Sequence, residues 1–144
     1  MHSLLVSSLD EQHEAIQAHL GHDKLCYAPL EELEPRRILE LGCGTGLWAA
    51  QAAQMFPDAH VVAVDSSAMS SRSLMRLPEN ASFYQTSILD YLDTQPESFD
   101  IVHARFVLMH NPNPEALINR TIGVLKPGGY LLIEDYDFNS LIET

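Results

Sequence analysis

Residues 38–48, reading ILELGCGTGLW, end an apolar stretch in glycines at alternate positions, Gly42, Gly44 and Gly46, just before a segment suited to a helix. Glycine lets the backbone turn tightly and lets a ligand approach main-chain atoms with no Cβ in the way. The spacing is GxGxG. A dinucleotide fingerprint needs GxGxxG, where this chain has Leu47, and a phosphate loop needs GxxxxGK followed by Ser or Thr. No Lys or Arg lies between Ile38 and Arg72, so a phosphate would meet nothing cationic beyond the helix N-terminus. An unphosphorylated ligand is expected. Glu40 stands two residues before the first glycine and Asp65 nineteen after the last, and two carboxylates so placed suit an ammonium and a ribose diol.

Positioning such a loop requires a strand before it and a helix after it, and the chain repeats that alternation. Residues 47–56 are rich in Ala, Gln and Met and close on Pro57 and Asp58, which predicts a helix of about three turns. The β-branched run 60–64 predicts a strand, 66–77 a short helix broken by Pro78, Glu79 and Asn80, and 81–85 a weaker third strand. A fourth strand is expected over 99–103. Asn113 and Pro114 supply an N-cap and a first-turn proline for a helix to Leu125. Pro127, Gly128 and Gly129 then turn the chain into a strand over 130–134. Strands separated by helices of about ten residues or more make repeated βαβ units, hence an α/β fold with a Rossmann-like, doubly wound, mostly parallel sheet of five strands. The ligand belongs at the carboxyl ends of those strands, where the glycine loop, Asp65, Ser87 and Ala104 all fall. Leu9, Ile16 and Leu20 give residues 9–20 a modest helical pattern, so 1–35 is read as an N-terminal helix and lid segment and 36–144 as the core of one domain.

Composition narrows the partners. A chain of 144 residues with 46% apolar content builds one sizeable core. Eight basic against twenty acidic residues leave a net charge of −12, which disfavours duplex nucleic acid and anionic membranes. Cys26 and Cys43 form no CxxC pair, so neither a disulfide framework nor a zinc site is expected, and a reducing compartment is the default. The opening MHSLLVSS lacks a basic segment and a long apolar run, so it reads as neither signal peptide nor anchor. A soluble, intracellular, cytoplasmic protein is expected. His19, His22 and Asp23 have helix-like spacing for a metal but no third strong ligand beside them, and read as a solvated face.

The ELGCGTG of residues 40–46, followed in order by AVDSS at 63–67, SFDIVHAR at 98–105 and LKPGGYLLIED at 125–135, resembles the class I S-adenosylmethionine-dependent methyltransferases. Within them, GTGLW with Trp48, DKLCYAPL at 23–30 and RLPENASF at 76–83 are similar to the LaeA-like methyltransferases of fungal secondary metabolism. The resemblance implies S-adenosylmethionine as cofactor and S-adenosylhomocysteine as product. It implies that the backbone around Gly42, Cys43, Gly44 and Gly46 passes under the methionine part, that Glu40 helps hold its ammonium, and that Asp65, next to Ser66, takes the ribose hydroxyls. A strand-end Asp also reads as a helix N-cap, a job open to Ser66. Ser87 stands where the family often carries an Asp that accepts from the adenine amino group, with Asp90 as a substitute, and Ile88 matches a position against the adenine ring or ordinary core. Ala104 matches the turn that meets the methionine amino group. Arg105 is read either as a partner of the cofactor carboxylate or as half of a surface salt bridge. Trp48 either walls the site or packs helix against sheet. Tyr27 matches the segment closing over the cofactor, or a packed loop tyrosine.

Methyl transfer is an in-line displacement that chiefly needs alignment, and a base is required only for a protonated acceptor. His110, just past the fourth strand, is the candidate base, against a structural role; His103, inside the strand, is expected in the core. The function implied is methyl transfer to a small metabolite. Two other readings share these residues: a non-catalytic partner or regulatory subunit, and an enzyme of the same fold using the cofactor's charge without methyl transfer. The family continues past the fifth strand with a helix and two further strands, so the chain is expected to be truncated at its C-terminus. Strand 130–134 would then be an apolar sheet edge needing cover from a second copy, as a homodimer, or from a partner protein.

Overall fold

The structure, a computed structural model, describes residues 30–105, 107 and 111–134. After a single 3₁₀ turn, Leu30–Glu32, five strands alternate with four helices: β1 (Arg37–Leu41), α1 (Leu47–Met55), β2 (His60–Asp65), α2 (Ser71–Arg76), β3 (Ala81–Gln85), α3 (Ile88–Thr94), β4 (Phe99–Arg105), α4 (Pro114–Val124) and β5 (Leu125–Glu134). They form one sheet in the order β3-β2-β1-β4-β5, and every pairing is parallel. The order reverses between β1 and β4, which opens a crevice at their carboxyl ends. The Rossmann-like expectation therefore holds.

Alternation along the strands divides the core into two layers. On one face Ile38 of β1, Val61 and Ala63 of β2 and Ile101 of β4 pack against α1, whose Trp48, Ala49, Ala52 and Ala53 are buried. Small alanines let this helix lie close to the sheet. On the other face Leu39, Leu41, Val62, Val64, Val102 and Ala104 pack with Leu92 of α3 and Leu117 and Val124 of α4. The α1 face changes character along its length. Two residues beyond Ile38 comes Glu40, and two beyond Ile101 comes His103, so its carboxyl end buries polar groups.

Several boundaries differ from expectation. Helix α2 covers six residues, because the Ser70 hydroxyl accepts from the Ser73 amide and starts it late. Helix α3 was not anticipated: Ser87 caps it by accepting from the Asp90 amide, and its seven residues are too short to carry a clear period. At nine, six, seven and eleven residues, most of the helices are shorter than βαβ spacing suggested. Helix α4 ends at Val124, and Pro127, Gly128 and Gly129 lie inside β5 as an irregularity between the Phe99–Leu125 and Ile101–Tyr130 pairings, where a missing amide is tolerated. At the amino-terminal edge, Asp100 accepts from the backbone amides of Arg36 at 2.8 Å and Arg37 at 2.9 Å, tying the start of β1 to β4. Among the described residues no helix is long and apolar enough to cross a membrane. The expected lid helix over 9–20 lies outside the described residues.

Candidate cofactor site

The glycine turn sits at the reversal point of the sheet and is held from β2. The amides of Gly42 and Cys43 donate to the Val64 carbonyl at 2.8 and 3.1 Å, and the Gly46 amide donates to the Cys43 carbonyl at 2.9 Å. Gly42, Gly44 and Gly46 have φ of 67°, 57° and 81°, in the left-handed region that favours glycine. The reason differs by position. A Cβ on Gly42 would stand 2.6 Å from Val107 Cγ2, so the turn also needs glycine to let the segment after β4 cross it. Ile88 reaches the same place, its Cδ1 3.9 Å from that Cβ position, which brings the start of α3 to the loop.

Asp65 ends β2 and ties the loop to it. Its Oδ2 accepts from the Gly44 amide and its Oδ1 from the Ser67 amide, both at 2.9 Å, so the carboxylate pins the loop. Neither Asp65 nor Ser66 caps a helix; that role falls to Ser70. A carboxylate offers about four lone-pair sites, and these two amides take two of them. Ser66 is exposed beside it. Ser87 has its hydroxyl turned to the α3 cap, with Asp90 exposed in the first turn of that helix. The side chain of Cys43 is buried, and that burial, with Glu40 and Asp65 nearby, pushes its thiol far above the usual range.

Behind the loop lies a polar network that sequence reasoning did not assemble. Glu40 is 3% exposed; its Oε2 lies 3.3 Å from His103 Nδ1, while its Oε1 has no hydrogen-bond partner among the described residues. Burial raises the Glu40 carboxyl above its usual value, offset in part by His103, by the charge of Arg105 and by the nearby Ala49 backbone amide. His103 is fully buried, as expected of a core residue, with Nε2 3.7 Å from Glu134 Oε1. Arg105 Nε donates to Glu134 Oε2 at 2.6 Å; with side chains only 9% and 17% exposed, this ion pair is largely buried, not the surface salt bridge expected as one alternative for Arg105. Trp48 is buried beneath the loop with its ring 3.8 Å from that of His103 and 5° from parallel, the helix-to-sheet packing alternative. Ala104 is buried between Leu41 and Ile133 in the neighbouring strands. The signal that could have found the network is parity: Glu40, His103, Arg105 and Glu134 all fall in phase with inward apolar residues. Tyr27 and His110 lie outside the described residues, as do His19, His22 and Asp23. Among the described residues no group of three His, Cys, Asp or Glu is arranged to hold a metal. Two clefts of about 190 and 270 Å³, both lined by Pro35, belong to the opposite end of the sheet.

A parallel sheet of order 3-2-1-4-5, with a glycine turn at its reversal point and an acid on each flanking strand, defines a nucleoside-cofactor-binding α/β domain. Residues 34–144 match a family model described as a methyltransferase domain. The chain belongs to the class I S-adenosylmethionine-dependent methyltransferase family, and its LaeA-like character is carried by its relatives. It is 48% identical over 130 residues to Methyltransferase str3 of Strobilurus tenacellus, covering 90% of this chain and 45% of that protein. It is 34% identical to Secondary metabolism regulator laeA of Monascus pilosus, over 90% of this chain and 34% of that one. The chain thus spans about half the length, or less, of these curated relatives. Among solved structures, the plantazolicin methyltransferase BamL, crystallised with a substrate analogue and SAH, superposes with a TM-score of 0.79 at 25% identity, covering 99% of this chain and 55% of BamL.

Proposed function

We propose that this chain forms the S-adenosylmethionine-binding core of a methyltransferase acting on a small metabolite of secondary metabolism. The observation that carries the reading is the nearly buried Glu40, whose Oε1 has no hydrogen-bond partner among the described residues, set across the glycine turn from Asp65, whose carboxylate accepts from the Gly44 and Ser67 amides. A buried acceptor without a donor costs free energy unless a ligand supplies one, and an ammonium fits that need. The first turn of α1 carries no acidic residue, so its N-terminus tolerates a carboxylate. When bound, the cofactor supplies a methyl group on a sulfonium for in-line displacement. The chain's own residues hold and orient: the glycine turn under the methionine part, Glu40 at the ammonium, Asp65 at the ribose, Ile88 at the adenine. Orientation of this kind contributes about 7–11 kcal/mol to such reactions when the reacting atoms are well aligned. For an acceptor that arrives protonated, His110 is the base.

The deciding experiment is calorimetric titration of the purified chain with S-adenosylmethionine and S-adenosylhomocysteine. Saturable binding of both supports the reading, and no binding at millimolar ligand sinks it. Similarity to a protein named as a secondary metabolism regulator favours, as a second reading, a chain that binds cofactor without turnover. Methyl transfer to a metabolite panel by the parent protein separates the two. The outer edge of β5, with Tyr130 and Ile133 exposed, is the surface where a second copy or a partner protein would pair, and light scattering tests the homodimer. Composition and cysteine usage support a soluble protein of the cytoplasm, testable by fractionation.

A further inference from the structure

We propose that His103 is a positioning residue, held on Trp48 so that its Nδ1 fixes Glu40 with one carboxylate oxygen turned to the cofactor ammonium. The inference rests on the cofactor reading of Glu40. Two contacts fix the imidazole. Its face lies on Trp48 at 3.8 Å and its Nδ1 is 3.3 Å from Glu40 Oε2, while its Nε2 faces Glu134 Oε1 at 3.7 Å, too long for a hydrogen bond, and neither of those two atoms has a partner among the described residues. A histidine kept only to fill space would stand among apolar groups, as Ile101 does two residues earlier on the same face. Here two carboxylates are brought in beside it, each at a desolvation cost that packing alone does not require.

The consequence for Glu40 is orientation. With Oε2 committed to His103, the carboxylate cannot rotate freely, and Oε1 is left as an acceptor that has no hydrogen-bond partner among the described residues. The same residues form one line across three adjacent strands at their carboxyl ends: Glu40 of β1, His103 of β4, Glu134 of β5, then Arg105, which binds Glu134 at 2.6 Å. Removing the histidine frees Glu40 to turn toward Arg105 or into the space vacated, and misplaces the one oxygen the ammonium needs.

The test compares two ligands on the full 144-residue chain by calorimetry. S-adenosylhomocysteine carries the ammonium; 5′-methylthioadenosine lacks the whole amino-acid portion. His103→Leu is expected to weaken S-adenosylhomocysteine ~10-fold, the scale of a misaligned charge-assisted hydrogen bond. It leaves 5′-methylthioadenosine within about twofold, and in the Glu40→Gln background it adds nothing further, because both changes remove one interaction. His103→Asn, whose amide can replace Nδ1 toward Glu40, restores most of the affinity, whereas His103→Gln, reaching toward Glu134, does not. This Asn and Gln pair carries the test if the leucine variant does not fold, and far-ultraviolet circular dichroism through a thermal melt reports folding of each variant, because Trp48 stacks on the substituted residue. Equal loss for both ligands, additivity with Glu40→Gln, or equal rescue by Asn and Gln would overturn the positioning role. If Glu40→Gln itself leaves S-adenosylhomocysteine affinity unchanged, the cofactor reading of Glu40 fails instead, and the inference with it.

Discussion

Two glycines in the cofactor turn share a left-handed backbone yet should respond very differently to the same added methyl group. Alanine at either position pays for a positive φ, about 1–2 kcal/mol. At Gly42, with φ 67°, the new Cβ would stand 2.6 Å from Val107 Cγ2. Valine is stiff about χ1 and cannot swing its methyl aside without moving its backbone, so overpacking adds about 1–3 kcal/mol. At Gly46, with φ 81°, the contact at 2.8 Å is with Met69 Cε, the free end of a flexible side chain that can withdraw at little cost. Gly42→Ala should therefore cost roughly 2–5 kcal/mol and Gly46→Ala about 1–2. For a chain of this size that corresponds to a fall in Tm on the order of 10 °C for the first and about 5 °C for the second. Denaturant titration followed by Trp48 emission measures both, provided the slope of the transition is unchanged. An equal or larger loss at Gly46 would refute the argument, because it would mean that backbone strain alone, and not the crossing at Val107, sets the need for glycine.

Asp65→Ala removes the acceptor of the Gly44 and Ser67 amides at once; water replaces the exposed Ser67 partner, so the loss should be about 1–3 kcal/mol, with weakened cofactor affinity, read by denaturation and calorimetry. A variant of unchanged stability would show that the loop needs no anchor on β2. Cys43, buried and with its thiol pushed far up, should resist iodoacetamide at pH 8 in the native chain and react once unfolded, as mapped by peptide mass spectrometry. Labelling at similar rates in both states would contradict that burial. For Asp100, burial alone would raise the carboxyl, but the amides of Arg37 and Arg36 and then Lys126 outweigh it, and the folded-state value lies below the ordinary 3.8. A depressed folded value gives stability that is present above about pH 4 and lost as pH falls through it, so Asp100→Asn should flatten the acid limb of a stability profile. An unchanged limb would place acid sensitivity elsewhere.

Much of the site was legible in local residue order. Apolar runs ending in GxGxG, with an acid on each side and no cation nearby, carry their meaning within about thirty residues of chain, because turn chemistry and strand periodicity act over short range. Local order likewise set four of the five strands within two residues and placed the cap of α4 at Asn113. It failed where signals were too short or nonlocal. Helix α3 offers seven residues behind a serine cap, too few for a clear period, and β5 carries Pro127 and two glycines inside a strand, which local rules read as a turn. Sequence alone thus determined the ligand class and the alternation of strand and helix, since both depend on residue types in series. Which acid meets which base was decided by tertiary structure: β1, β4 and β5 are far apart in the chain, and only their parallel register sets Glu40 beside His103 and Glu134 beside Arg105. Register converts parity along three separate strands into one buried line of charge, and no local spacing encodes it.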